Sequence, residues 1–196
     1  MTKDMRGNSA VLVVALMLAF TAGRTSAQSV EALLRATAVV RAMDEQQLVE
    51  LVPQQSGLEY VGCPNCDAGR QERQLVWSIE APDEVVCQFC EHRYPSEKYP
   101  MDQAVVVKTR RGEPARFPYW ADETGYRYFF QSRRDDEVRK YLANQTLRLA
   151  QLYAATGEDA HARRAAVMLN RFAEAFPGGG YHYDYPFRQK DIYDGP

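Results

Sequence analysis

Four cysteines are the residues best placed to do chemistry. Cys63-x-x-Cys66 and Cys87-x-x-Cys90 form two pairs with twenty residues between Cys66 and Cys87. That is the arrangement of a zinc ribbon. Two intervening residues let the backbone turn so that both sulfurs of a pair aim at one ion. Zinc takes four such thiolates in a tetrahedron with bonds of about 2.3 Å. With every position filled there is no place for water or substrate, so the expected zinc is structural and contributes folding energy. A β-like run leads into each pair, Leu58–Val61 and Glu84–Val86. The rival account is oxidative: two disulfides, or a redox CxxC, would suit an exported chain. The duplicated spacing favours zinc. His92 lies two residues past Cys90 and could replace a ligand, but four cysteines make it more simply a solvated histidine.

Acid–base chemistry has a thin supply. His161 sits between alanines in a helical stretch and reads as an ordinary helix residue. His182 lies in Tyr181-His182-Tyr183-Asp184-Tyr185, after Gly178-Gly179-Gly180. A histidine beside a tyrosine can abstract and return a proton, although a packing aromatic loop is the plainer reading. Flat rings also stack on sugar faces while polar groups bond hydroxyls. Tyr181, His182, Tyr183 and Tyr185 are therefore the candidate substrate-binding residues. No Ser/His/Asp arrangement, phosphate loop or basic nucleic-acid patch is visible, and the catalytic residues are unassigned. Asn144-Gln145-Thr146 is formally a glycosylation sequon, but it falls mid-helix and reads as incidental.

The elements that position these residues begin with an export signal over 1–27. Lys3 and Arg6 precede an apolar run from Ala10 to Ala22, and Thr25-Ser26-Ala27 offers a small-residue cleavage site. The run is shorter than the roughly 20 residues that a spanning helix needs. Its removal takes away three basic residues and one acidic one. The remainder is thus more acidic than the whole chain, whose net charge is −2. That disfavours nucleic acid and acidic membrane surfaces as partners. Residues 28–56 follow a helical pattern through Val30, Leu33, Leu34, Ala38 and Val39, and Pro53 ends a second short helix. Residues 57–131 form the cysteine-bearing region, with a hairpin from Val105–Lys108 to Ala115–Phe117 and a strand at Tyr126–Phe130. Residues 132–196 read as a helical hairpin. Ser132 caps its first helix, Gly157 ends it, and Asp159 caps the second. Tyr141, Leu142, Gln145, Leu149, Leu152 and Tyr153 face inward from the first helix. Ala162, Ala165, Ala166, Leu169, Phe172, Ala173 and Phe176 do so from the second. A lone hairpin expects neighbours of its own kind, so the aromatic stretch running to Pro196 reads as a chain whose further helical pairs lie beyond it. The expected fold is mainly α with a small β zinc-ribbon insert.

Cys87-Gln-Phe-Cys90, Tyr94-Pro-Ser-Glu-Lys-Tyr-Pro100, Gly125-Tyr126, Leu149–Gly157 and Ala165–Pro177 together resemble the N-terminal part of heparinase II/III-like proteins. These are exported polysaccharide lyases of the alginate-lyase type. The resemblance spans roughly Leu58 to Pro196. It implies the first helical hairpin of an incomplete α/α toroid, and β-elimination on uronic-acid-containing polysaccharides. In such a reaction a base takes the proton beside the uronate carboxylate and an acid protonates the leaving oxygen. The family's catalytic Asn, Tyr, His and Arg match no position here, so the chain alone is expected to be inactive. The implied partner is a polysaccharide or oligosaccharide, with no nucleic acid and no membrane once the signal is cleaved. The reading from another class is a non-catalytic helical-repeat module that binds carbohydrate or protein and holds a structural zinc.

Overall fold

A computed structural model describes residues 29–178 apart from 56, 60, 67–73 and 110. Three short helices come first: α1 over 29–36, α2 (Ala38–Ala42) and α3 (Glu45–Leu51). Asp44 starts α3 through a capping box. Its side chain accepts from Gln47 N–H at 2.8 Å, and the Gln47 side chain accepts from Asp44 N–H at 2.9 Å. Two three-stranded antiparallel sheets follow. The first pairs β1 (Leu75–Ser78) with β2 (Ala81–Cys87), and β2 with β3 (Arg93–Tyr94). The second pairs β4 (Gln103–Lys108) with β5 (Pro114–Ala121), and β5 with β6 (Arg127–Tyr128). Strand alternation is plain in β5, where Ala115, Phe117 and Tyr119 are buried and Arg116 is exposed. Two long helices close the described chain, α4 (Phe130–Thr156) and α5 (Asp159–Ala175). Gly157 ends α4 with φ +73, the left-handed cap that glycine supplies without strain.

The expectation of a mainly α fold with a ribbon insert, opening an α/α toroid, is corrected by this architecture. Among the described residues helix takes about 47% and strand about 21%, in five helices and two sheets. The strands are no insert, because they carry one of the two hydrophobic cores. That core joins Leu75, Val85 and Cys87 of the first sheet to Phe117 and Tyr128 of the second, with Phe129 and Phe130 packed between. Each such aromatic burial is worth roughly 1.5–3 kcal/mol, so the β half is a major source of stability. The second core lies among the helices, with Val40, Leu48, Leu142, Leu149, Leu152 and Met168.

Several boundaries also shift. Leu58–Val61 is not a strand where it is described, and β1 takes that place beside β2. The expected Tyr126–Phe130 strand shrinks to β6, because α4 begins at Phe130. Phe129 precedes α4 without a side-chain cap, and Ser132 is buried inside the first turn. Burial of Phe129, Phe130 and Arg133 there outweighs the cap signal. In α5 the expected inward residues Ala165 and Phe172 do meet the core, while His161, Met168 and Ala175 are buried in place of Ala166, Leu169, Ala173 and Phe176. Leu169 and Phe176 are 57% and 70% exposed.

Two contacts fix the β half against α4. Arg133, 1% exposed, donates from Nε to the Leu75 carbonyl at 3.0 Å. Its other nitrogens reach Asp136 at 3.1 Å and Glu137 at 2.8 Å. Trp77 packs against both cores. Among the described residues no helix is long and apolar enough to cross a membrane.

Candidate metal centre

Each cysteine pair sits in a backbone knuckle. After β2 the chain folds back at Cys87. Its N–H bonds His92 O at 2.9 Å and its carbonyl accepts from Glu91 N–H at 2.9 Å. Glu91 adopts φ 59, the left-handed turn that lets the chain re-enter as β3. The first knuckle lacks strand support and is held from the side. Gln74, buried just before β1, accepts from Cys63 N–H through Oε1 at 2.7 Å, while its carbonyl accepts from Gln88 N–H at 3.0 Å. One residue thereby clamps both knuckles.

The result is a closed group of sulfurs. Cys63, Cys66, Cys87 and Cys90 place all four Sγ atoms within 4.8 Å of one another. Cys63 and Cys90 are 3.7 Å apart, and Cys66 and Cys87 are 3.8 Å apart. A tetrahedron with metal–sulfur bonds of about 2.3 Å has edges of about 3.8 Å. All four are free cysteines, far from the roughly 2.05 Å of a disulfide. The close cross-pairs join one knuckle to the other, as a shared ion requires. Four cysteines could thus hold one metal ion.

Cys63 and Cys90 differ in their electrostatics. Burial pushes the Cys63 thiol up to about 12, against hydrogen bonds from Tyr94 and from the Asn65 backbone. Burial raises Cys90 too, but the His92 backbone, the Asn65 side chain and the neighbouring thiols outweigh it and bring Cys90 down to about 7. The pocket therefore stabilises some negative charge at Cys90 and resists it at Cys63. A bound cation would remove that resistance, since the thiolate is the metal-binding form. The surroundings are already arranged for thiolates. The Tyr94 hydroxyl lies 2.9 Å from Cys63 Sγ and Asn65 Nδ2 lies 3.7 Å from Cys90 Sγ. Tyr94 in turn stacks on Phe130, with centroids 4.3 Å apart. The sulfur group is thus tied to the start of α4 through one aromatic pair.

The other candidates disperse. His92 bonds Ser96 Oγ at 3.1 Å and rings against Tyr94 and Tyr99, outside the sulfur group. His161 is buried at the start of α5, with Nε2 3.4 Å from the Glu158 carboxylate. Asn144 is exposed on α4, whereas Thr146 of the same sequon is buried and bonds the Leu142 carbonyl at 2.8 Å. Tyr181, His182, Tyr183 and Tyr185 lie outside the described residues. Sequence reasoning missed Gln74 and Tyr94 as supports of the site. Tyr94 carried one usable signal, an aromatic four residues after Cys90. Gln74 carried none. Compared with known protein families, with curated proteins and with solved structures, the chain matches none of them.

Proposed function

We propose that Cys63, Cys66, Cys87 and Cys90 hold one zinc ion as a structural staple, and that the chain is a non-catalytic portion of an exported polysaccharide lyase of the heparinase II/III-like kind. The observation that carries the metal reading is the four-sulfur group itself, with cross-knuckle distances of 3.7 and 3.8 Å. Four thiolates with no oxygen or nitrogen ligand favour a soft or borderline ion, and zinc suits tetrahedral sulfur best. A closed shell polarises no substrate, so the ion serves the fold.

The lyase reading rests on the motif resemblance and on the export signal at 1–27. Elemental analysis of protein purified without reducing agent tests the metal. One zinc per chain is the expected result, and four oxidised half-cystines with no metal would reject it. The lyase reading has a separate test. Beta-elimination leaves an unsaturated sugar that absorbs in the ultraviolet. This chain alone should give no such signal on uronate polymers, and strong absorbance growth would place an active site within it.

A further inference from the structure

A cavity of about 410 Å³ opens between the β1–β2 turn and the middle of α4. That lies within the size range of small-molecule pockets. Its apolar wall is made by Trp77 of β1, Ile79 of the turn and Tyr141 of α4, all half-buried. The ring centroids are 5.3 Å apart and the planes meet at 64°. The rings thus form a corner rather than a stack, and each also packs against the helical core on its inner side. Trp77 Nε1 donates to the Pro82 carbonyl at 3.0 Å, which fixes the indole and uses up its polar edge. Polar groups ring the corner: Glu80, Glu137, Lys140 and Asn144. Two are held in place. Glu137 accepts from Arg133 at 2.8 Å, and Lys140 spans Asp136 at 2.8 Å and Glu59 at 3.1 Å. Glu80 and Asn144 are exposed.

We propose that this corner is a binding subsite for a neutral pyranose sugar. A pyranose has a C–H face and a belt of hydroxyls. The two rings suit the first, while carboxylate oxygens accept from hydroxyls and the lysine and asparagine donate to them. The lining carries two carboxylates against one ammonium, so its sign opposes uronate and sulfated sugars. Lys140 within the same lining opposes an amine ligand. A purely apolar ligand would leave the charged rim without partners. The site does not depend on the lyase reading, because a non-catalytic carbohydrate-binding module could carry it equally well.

The test uses the full metal-loaded chain and follows the Trp77 indole N–H by NMR. Cellotetraose, mannotetraose and chitotetraose are the neutral probes, and tetragalacturonate is the acidic one. At least one neutral probe should give a saturable shift with millimolar affinity, and tetragalacturonate should bind at least tenfold more weakly. Asn144→Arg fills the cavity mouth and Glu80→Ala removes an acceptor. Both positions are exposed and belong to neither core, so melting should not change. Each should weaken neutral-sugar binding severalfold. The proposal is overturned by no saturable shift with any neutral probe up to about 20 mM. Equal or tighter tetragalacturonate binding, or affinity untouched by both variants, would overturn it too. Zinc content and lyase assays read neither result, so failure here is distinct from failure of the proposed function.

Discussion

Arg133→Met tests whether the cysteine-bearing half and the helical half form one cooperative unit. The arginine is 1% exposed and contacts three groups, the Leu75 carbonyl, Asp136 and Glu137. Breaking a fully buried ion pair costs about 3–5 kcal/mol, but here the partners are not fully buried. Asp136 and Glu137 side chains are 14% and 25% exposed, and Asp136 keeps Lys140 at 2.8 Å. The carboxylates therefore lose little. The Leu75 carbonyl loses a charged donor, worth about 1–3 kcal/mol. Methionine fills much of the vacated volume and relieves the desolvation of a buried guanidinium. The expected loss is about 2 kcal/mol, or about 4–8 °C in melting for a chain of this size. Leu75 pairs with Cys87 in the β1–β2 register, so the loss should also reach the metal. Chelator competition on the folded variant should show weaker metal retention, with the knuckle sequence untouched. Melting within about 1 °C of the parent, on the scale of a neutral surface change, would refute the bridge. Lower melting with unchanged metal retention would refute the coupling.

Other substitutions probe the supports separately. Gly57→Ala should destabilise by about 1–3 kcal/mol, measured by denaturant unfolding, because its Cβ would lie 2.4 Å from the Asp136 backbone. Two aspartates should give opposite acid responses. At Asp122 burial acts upward, but hydrogen bonds from Thr124, Tyr126 and Tyr128 outweigh it and hold the carboxyl low. Its stabilisation is present above the unfolded value of about 3.9 and is lost as pH falls through the folded one. At Asp135 burial dominates over Arg134 and Arg139 and raises the carboxyl. The unfolded form then ionises first, so stability falls as pH rises from about 3.9 through the folded value. Asp122→Asn should lower melting at neutral pH and flatten its acid decline. Asp135→Asn should hold or raise it. Melting curves across pH 3–7 read both.

The legible part of the fold was what local chemistry decides. Gly157 was readable as a left-handed cap because few other residues take φ +73 without cost. The β4–β5 hairpin was readable from alternation and its Arg111-Gly112 turn. The inward face of α5 was not. The expected face runs through Ala162, Ala165, Ala166, Leu169, Phe172, Ala173 and Phe176, of which Ala165 is buried and Phe172 packs on the core, whereas Met168 and Ala175 lie off it. Period alone does not say which residues meet α3 and α4. The start of α4 failed for a related reason. Ser132 looks like a cap in isolation, yet Phe129 and Phe130 are drawn inward by Tyr119 and Tyr94, which are distant in sequence.

The same division holds within the metal site. The ligands were legible because chelation geometry is local, with two sulfurs three positions apart. The supports were not, because each acts across the chain: Gln74 on Cys63 and Gln88, Tyr94 on Cys63, and Arg133 on the strand that pairs with Cys87. Together they set what an ion held by the four cysteines would do for the protein. A ribbon held only by its ion would fold and unfold by itself. Here the sulfur group touches Tyr94, Tyr94 stacks on Phe130, and Phe130 is the first residue of the 27-residue helix α4. Binding energy that an ion gained at the cysteines would therefore be shared with the helical hairpin. On the export reading this sharing also protects the thiols. Oxidation to a disulfide needs two sulfurs to close from 3.7 Å to about 2.05 Å, and Gln74 and Tyr94 both hold Cys63, one at its backbone N–H and the other at its sulfur.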